Sequence, residues 1–305
     1  MIGWIIYKNS LSDVKPETFE INRLVEEAEK QDIDMRVLAP EQFELIVTRD
    51  DRKSVMVDGE VQQLPDFVLP RMGAGTNYFG LALIRHLERL GVRTFNSSQS
   101  IDTVKDKLYT QQILAEYNLP VPKTMLIRSK VDVNLVEKHL GFPVVVKTIS
   151  GSQGSGVFLA ETKSKFIDLL EMINAYKENA TMILQEFVES SRGMDLRVLT
   201  IGGRAVAAMK RYSGNDSFKA NYSRGGKVEP FEINPEIEWL ALETSRLLNL
   251  DIAGIDLLFD GDHYKICEAN SSPGFEGLES CCQVNIAEEI YNFLRVRLNR
   301  FELKI

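Results

Sequence analysis

Cysteine and histidine are both scarce. The 305 residues hold three of each: Cys267, Cys281 and Cys282, and His86, His139 and His263. Three scattered histidines make a histidine-based catalytic set a poor expectation. An odd, sparse cysteine count without an export signal suits a reducing cytoplasm. The adjacent Cys281 and Cys282 have no further Cys or His nearby to complete a metal site. Long apolar runs are missing too, so no stretch reads as a membrane span. Met1–Tyr7 is apolar but short and lacks a basic leader, which predicts a first strand instead of a signal peptide. Basic excess is also absent: 36 Lys and Arg stand against 44 Asp and Glu, a net charge of −8. That balance argues against general nucleic-acid binding. A hydrophobic fraction of 44% and a charged fraction of 26% are ordinary for a globular protein of two or three modules.

Strand and helix patterns alternate in the first part. Ile2–Tyr7 is a strand candidate. A helical pattern runs from about Glu17 to Gln31, with Phe19, Leu24, Val25 and Ala28 on its apolar face. Met35–Leu38 and Phe67–Leu69 are short apolar runs, and Leu81–Leu90 is helical up to Gly91. The alternation predicts a parallel α/β module. Gly73, Gly75 and Gly80 have the wrong spacing for a dinucleotide fingerprint. A second module opens near Ser100 with one helix from about Asp102 to Tyr117, carrying Lys105 and Lys107. It stops before Pro120-Val121-Pro122, because proline disfavours helix in the residue before it. A strand to Ile127, a helix to about His139 and a buried strand Phe142–Lys147 follow. In the third module, Gly202-Gly203 and Asp260-Gly261 supply the positive φ that two-residue hairpin turns need. The last helix runs from about Ile286 to Phe301, with Asn285 and Glu288 as a capping pair.

Four clusters carry chemistry. Glu268 and Asn270 are two apart on a predicted strand, so they share a face, and a hairpin brings Asp256 alongside. Two carboxylates and an amide oxygen are hard ligands that suit Mg²⁺. An ordinary polar sheet face is the equal alternative until the small-residue loop Ser271–Gly277 is counted, which leaves room for a substrate. Lys147 ends a strand just before Gly151, Ser152, Gln153, Gly154, Ser155 and Gly156. Glycines let backbone N–H groups converge on an anion, although a plain hairpin loop has the same spacing. No Lys-Ser or Lys-Thr follows, so this is not a Walker loop. Gln185-Glu186-Phe187-Val188 ends an apolar strand and offers backbone groups to an adenine edge, or is simply a strand end. Asp195-Leu196-Arg197 puts two charges on one face, and Lys210, Arg211, Lys219, Asn221 and Arg224 form a basic segment. Such cations stabilise charge on transferring phosphoryl and acyl groups, or form a solvated basic loop.

The order of these signals resembles the ATP-grasp superfamily. In detail, Asp195-Leu196-Arg197, Ala207–Arg211, Phe218–Asn221, Arg224-Gly225-Gly226, Ala253–Asp256 and Glu268–Gly274 resemble the ribosomal protein S6 α-L-glutamate ligase (RimK-type) family. Pro70-Arg71 with Gly73, and Asp106-Lys107, match as well, so the resemblance covers nearly the whole chain. It implies an α/β (α+β) ATP-grasp fold: a Rossmann-like pre-ATP-grasp domain over residues 1–99, a central lobe with the glycine flap over 100–184, and a C-terminal lobe with the metal site over 185–305. By the same resemblance, Lys107 and Lys147 contact the phosphates of ATP under a flap that includes Gly151, Ser152, Gln153 and Gly154. Glu186 and Phe187 lie at the adenine, Asp195 is in the nucleotide site, and Lys219, Ala220 and Asn221 approach ATP. Asp256, Glu268 and Asn270 hold Mg²⁺ or Mn²⁺, two ions in all. Arg211, Asn221 and Arg224 are the catalytic candidates, with Arg211 facing the acyl phosphate and the incoming amino acid. Lys219 stands where arginine is common and Tyr212 follows Arg211, which bears on amino-acid preference.

The activity so implied is ATP-dependent ligation through an acyl phosphate. Glutamate is the expected amine, and the acceptor is the C-terminal carboxylate of an acidic protein or peptide. Rival readings are another amino acid, a small carboxylate such as a dipeptide or cofactor tail, or a nucleotide-binding regulator without turnover. Neither nucleic acid nor membrane is expected as a partner, and a homo-oligomer is left open.

Overall fold

A computed structural model describes residues 1–8, 18–49, 54–128, 130–148, 156–176, 178, 180–213, 218 and 226–299. The first elements are β1 (Ile2–Tyr7), α1 (Thr18–Lys30), β2 (Asp34–Leu38), β3 (Phe43–Leu45), β4 (Val55–Val57), β5 (Glu60–Val61), β6 (Phe67–Arg71), α2 (Tyr78–Arg89) and β7 (Arg93–Thr94). β2, β1, β6 and β7 form a parallel sheet in that order, as the alternation predicted. A strand in such a sheet is buried on both faces, which is why β1 is almost wholly apolar. Trp4 and Ile6 pack with α2 through Leu83, Ile84 and Leu87. Ile5 and Tyr7 turn the other way, to Ile21 and Leu24 of α1.

Then come α3 (Ser98–Lys105) and α4 (Lys107–Glu116). The sequence predicted a single helix here. Asp106 breaks it: its backbone is extended, and its carboxylate accepts from the N–H groups of Leu108 and Tyr109, starting a fresh helix at Lys107. The central sheet is built from β8 (Thr124–Arg128), β9 (Val144–Thr148), β10 (Val157–Ala160) and β11 (Thr181–Glu186), with α5 (Val133–His139) between β8 and β9 and α6 (Lys163–Tyr176) between β10 and β11. Its order is β10-β9-β11-β8, all antiparallel. One face packs Val144, Val146, Met182 and Leu184 against Val136 and Phe166 of the two helices.

The remaining elements are β12 (Met194–Ile201), β13 (Arg204–Tyr212), β14 (Lys227–Pro230), α7 (Pro235–Leu247), β15 (Ile252–Asp260), β16 (His263–Asn270), α8 (Glu276–Cys282) and α9 (Ile286–Arg297). The five strands form an antiparallel sheet ordered β14-β13-β12-β15-β16. Leu196 and Val198 of β12 face α7, with Ile237, Leu240 and Ala241. The opposite face is divided. At one end Leu199, Ile201, Ala207 and Ile252 join α1, α9 and β6 in a core shared with the N-terminal sheet. At the other end it carries charge.

Gly202 and Gly203 form the predicted turn, at φ +59° and +79°. The second turn is displaced by one residue. Asp260 pairs with His263, so Gly261 and Asp262 form the turn, with Gly261 at φ +63°. The last helix stops at Arg297, short of the predicted Phe301, and Asn299 adopts φ +55°. Asn285 does cap it, accepting from the Glu288 N–H, but Glu288 accepts from the Asn285 amide instead of from its backbone.

Candidate active site

The charged end of the C-terminal sheet follows from strand register. Asp195 lies opposite Arg211, Arg197 opposite Asp256, and Asp256 opposite Glu268. Directly opposed residues point to the same side, so the four strands β13, β12, β15 and β16 present one charged row. Arg211 donates from Nε and Nη2 to the two carboxylate oxygens of Asp195 at 2.6 and 2.7 Å. Arg197 donates in the same forked manner to Asp256, at 2.8 Å for each bond. Arg211 Nη2 also reaches Asp256 Oδ2 at 3.0 Å, joining the two pairs. Burial works against the charge on Asp256, but Arg197 and Arg211 outweigh it and hold its pKa down at about 2. Burial likewise opposes the Arg211 charge, yet Asp256 and Asp195 keep its pKa above the ordinary value.

Glu268 and Asn270 sit at the end of this row. Asn270 Nδ2 donates to the Gly254 carbonyl at 3.3 Å and lies 3.5 Å from Glu268 Oε1. Among the described residues no cation pairs with Glu268, so its carboxylate is the one in the row without an arginine. With Asp256 in register beside it and the Asn270 oxygen following, the set is all hard oxygen donors. It fits a divalent cation of the Mg²⁺ type.

The ladder between β15 and β16 slips next to Asp256: Leu257 pairs with Ile266, leaving Cys267 as an extra residue. A bulge of this kind re-aims a side chain. Cys267 Sγ lies 3.9 Å from Lys147 Nζ, which comes from the opposing central sheet. Lys147 is buried, and it donates to Gln185 Oε1 at 2.6 Å. Burial pushes the Cys267 thiol up to about 11, so it stays protonated at neutral pH. Glu186 pairs with Lys265 at 2.7 Å, tying the end of the central sheet to β16. Arg192 lies over the Phe187 ring at 4.7 Å. Lys107 is the first residue of α4. One turn later Gln111 Nε2 donates to the Cys267 carbonyl at 3.0 Å, so this side of α4 is turned to the bulge.

The loop after Asn270 is held by the N-terminal sheet's surroundings. Asn96 donates to the carbonyls of Ser271 and Ile252 at 2.8 and 2.7 Å. Arg71 Nη2 donates to the Pro273 carbonyl at 2.7 Å. Glu20 Oε1 accepts from the Phe275 and Glu276 N–H groups at 2.7 and 3.2 Å. A small cavity lined by Ile21, Arg71, Gly73, Ser272 and Gly274 remains beside it. Gly254 is required here, because a Cβ there would meet Pro273 Cβ at 2.8 Å.

A family profile described as the RimK-like ATP-grasp domain matches residues 104–294, and one described as the RimK pre-ATP-grasp domain matches residues 11–101. The chain belongs to the RimK-like ATP-grasp family. A protein named probable α-L-glutamate ligase in Rhodopirellula baltica is 34% identical over 98% of this chain and 73% of that one. One of the same name in Legionella pneumophila is 34% identical over 94% of this chain and 95% of that one. Among solved structures, the ATP-grasp ligase PsnB in complex with its minimal precursor superposes with a TM-score of 0.73 at 20% identity, over 97% of this chain and 98% of that one. The ATP-grasp fold with an N-terminal pre-ATP-grasp domain is therefore the fold of this chain.

Within that RimK-like frame the structure brings together Asp195, Arg211, Asp256, Glu268 and Asn270 on one sheet, faces them with Lys147 through Cys267, and ties Glu186 to β16 through Lys265. Lys107 begins α4, one turn before Gln111, and Phe187 follows Glu186 and lies under Arg192. Gly151, Ser152, Gln153, Gly154, Lys219, Ala220, Asn221 and Arg224 lie outside the described residues, between strands whose ends are in place: Val157 pairs with Lys147, and Tyr212 with Lys227. Sequence reasoning did not single out Arg197 as the partner of Asp256, nor Gln111 or Cys267. Arg197 was visible in the Asp-x-Arg spacing. A bulge leaves no such signal. Cys281 and Cys282 have sulfurs 3.5 Å apart, and burial together with Cys281 pushes the Cys282 thiol up to about 12, which disfavours thiolate chemistry.

Proposed function

We propose that this chain joins L-glutamate, as the amine, to the carboxylate at the C-terminus of a protein or peptide, using ATP and forming an amide through an acyl phosphate. The observation that carries the reading is the confrontation of two sheets. One presents the row Arg211–Asp195–Arg197–Asp256–Glu268, and the other presents the buried Lys147. Relatives named probable α-L-glutamate ligase support glutamate as the amine.

In this reading Lys147 and Lys107 bind the phosphates, and the backbone N–H groups of Gly151–Gly154 are assigned to the same phosphates. Glu186 and Phe187 border the adenine. Asp256, Glu268 and Asn270 hold Mg²⁺ or Mn²⁺, which supplies neutralisation of phosphate oxygens when bound. The acceptor carboxylate attacks the terminal phosphorus and ADP leaves. The amine then attacks the acyl carbon, and inorganic phosphate leaves. Arg211 and Arg197 hold Asp195 and Asp256 in fixed orientation beside the reacting groups, so the dipoles of this row need not reorganise during the reaction. Asn221, Lys219, Ala220 and Arg224 belong to the segment between β13 and β14 and complete the site. No side chain forms a covalent intermediate, in keeping with the protonated Cys267.

The test uses an acidic peptide in two forms, with a free or an amidated C-terminus, incubated with ATP, Mg²⁺ and glutamate. Mass analysis should find glutamate added to the free form alone. Extension of both forms would show that another carboxylate is activated, and ADP release without any extended peptide would point to a small acceptor.

A further inference from the structure

The bulge at Cys267 raises a backbone question. A residue left out of the ladder has a carbonyl that its neighbouring strand does not bond, and a buried carbonyl needs a donor. β16 is also the edge strand of its sheet. Its outer side is covered by two contacts from the segment before β8. Ile266 donates its N–H to the Pro120 carbonyl at 2.8 Å. Gln111 Nε2 spans the next two carbonyls, Ile266 at 3.5 Å and Cys267 at 3.0 Å. Gln111 is buried, and among the described residues its own oxygen has no hydrogen-bond partner. A methionine would fill the same space without an orphaned oxygen. What the amide adds is its N–H on the bulge.

The bulge in turn sets the phase of β16. One residue beyond it, Glu268 lies in register with Asp256, and Asn270 with Gly254. Without the extra residue every side chain on one flank of the slip would point to the other face. We propose that Gln111 is a positioning residue for the divalent-cation site. By bonding the Cys267 carbonyl it fixes the bulge that holds Glu268 and Asn270 on the face of Asp256. This rests on the reading of Asp256, Glu268 and Asn270 as the cation ligands. It also gives α4 a double task, because Lys107 stands one turn before Gln111 on the same side of the helix. The lysine assigned to the phosphates and the clamp on the cation strand are then parts of one rigid element.

The test is a binding measurement. Mn²⁺ is titrated into the protein with saturating ADP and followed by electron paramagnetic resonance. Gln111→Met, which keeps length and volume, should weaken Mn²⁺ binding about tenfold, the low end of what losing a supporting group around a metal ligand costs. ADP affinity without metal and the melting temperature should stay near their starting values. Gln111→Glu, which replaces the donor by an acceptor facing two carbonyls, should weaken Mn²⁺ binding further and serves if the methionine variant does not fold. Glu268→Gln is run in parallel. Weakened binding in Glu268→Gln with unchanged binding in both Gln111 variants overturns the positioning role alone. Unchanged binding in all three overturns the cation-site reading on which it rests.

Discussion

Arg211 and Lys147 approach the cleft from opposite sheets. Both are buried, yet their partners differ. Arg211 has a carboxylate across both tines of its fork and a second within 3.0 Å. Together Arg211, Asp195, Arg197 and Asp256 form a neutral set of two cations and two anions that satisfies itself. Lys147 donates to a neutral amide oxygen, and among the described residues no carboxylate pairs with it. A buried ammonium without a counter-charge is costly unless an anion arrives. The first arrangement builds a rigid floor. The second leaves charge for a ligand to neutralise, which suits a polyphosphate.

The comparison can be broken in order of expected effect. Glu268→Gln removes the one charge in the row without an arginine partner, and should lower amino-acid-dependent ADP release by ~100-fold or more. Near-normal release would take Glu268 out of the site. Lys147→Met should cost a similar ~10–100-fold in kcat/KM for ATP, and its melting temperature should hold or rise, since a buried charge is gone. A fall in melting temperature would show that the lysine belongs to the structure instead. Arg211→Lys is the converse case. It loses the planar fork and should destabilise the fold by roughly 3 kcal/mol in denaturant titrations, near the low end for breaking a buried pair.

The smallest effect is acid sensitivity. Asp256 has a folded pKa of about 2, below its ordinary value. Its contribution is therefore complete above about pH 4 and is lost as pH falls towards 2. It amounts to about 2 kcal/mol. Stability measured between pH 4 and pH 2 should fall less steeply in Asp256→Asn than in the native chain. Equal slopes would mean that Asp256 is not the depressed group.

Most of the architecture was legible because hydrophobic pattern and turn chemistry agree: β1 reads as a strand buried on both faces, and Gly202-Gly203 as a turn. Asp106 was misread because an N-cap inside a continuous helical pattern looks like any helical polar residue. Asp195, Asp256 and Glu268 could be found by spacing on strands, whereas Arg211 read only as part of a basic segment until the resemblance gave it a role. Their mutual pairing depends on strand order, since β12 lies between β13 and β15, and order is a tertiary property. The bulge at Cys267 is a slip between two strands, and one strand's sequence cannot contain it.

The core that joins Ile5, Ile21, Leu24 and Phe67 to Ile201, Ile290, Tyr291 and Leu294 draws on segments far apart in sequence, and Tyr291 Oη closes it by donating to the Leu24 carbonyl at 2.7 Å. The apolar cluster of the central sheet lies instead between Met125 and Leu184. During synthesis the central sheet can therefore complete its own packing while α9 is still unmade. The face of β1 that carries Ile5 and Tyr7 meets Ile21 and Leu24 of α1 early, but its cluster is completed only when Ile290, Tyr291 and Leu294 of α9 arrive. The two cores thus close at different times: the central sheet closes without α9, and the cluster around β1 closes only with it.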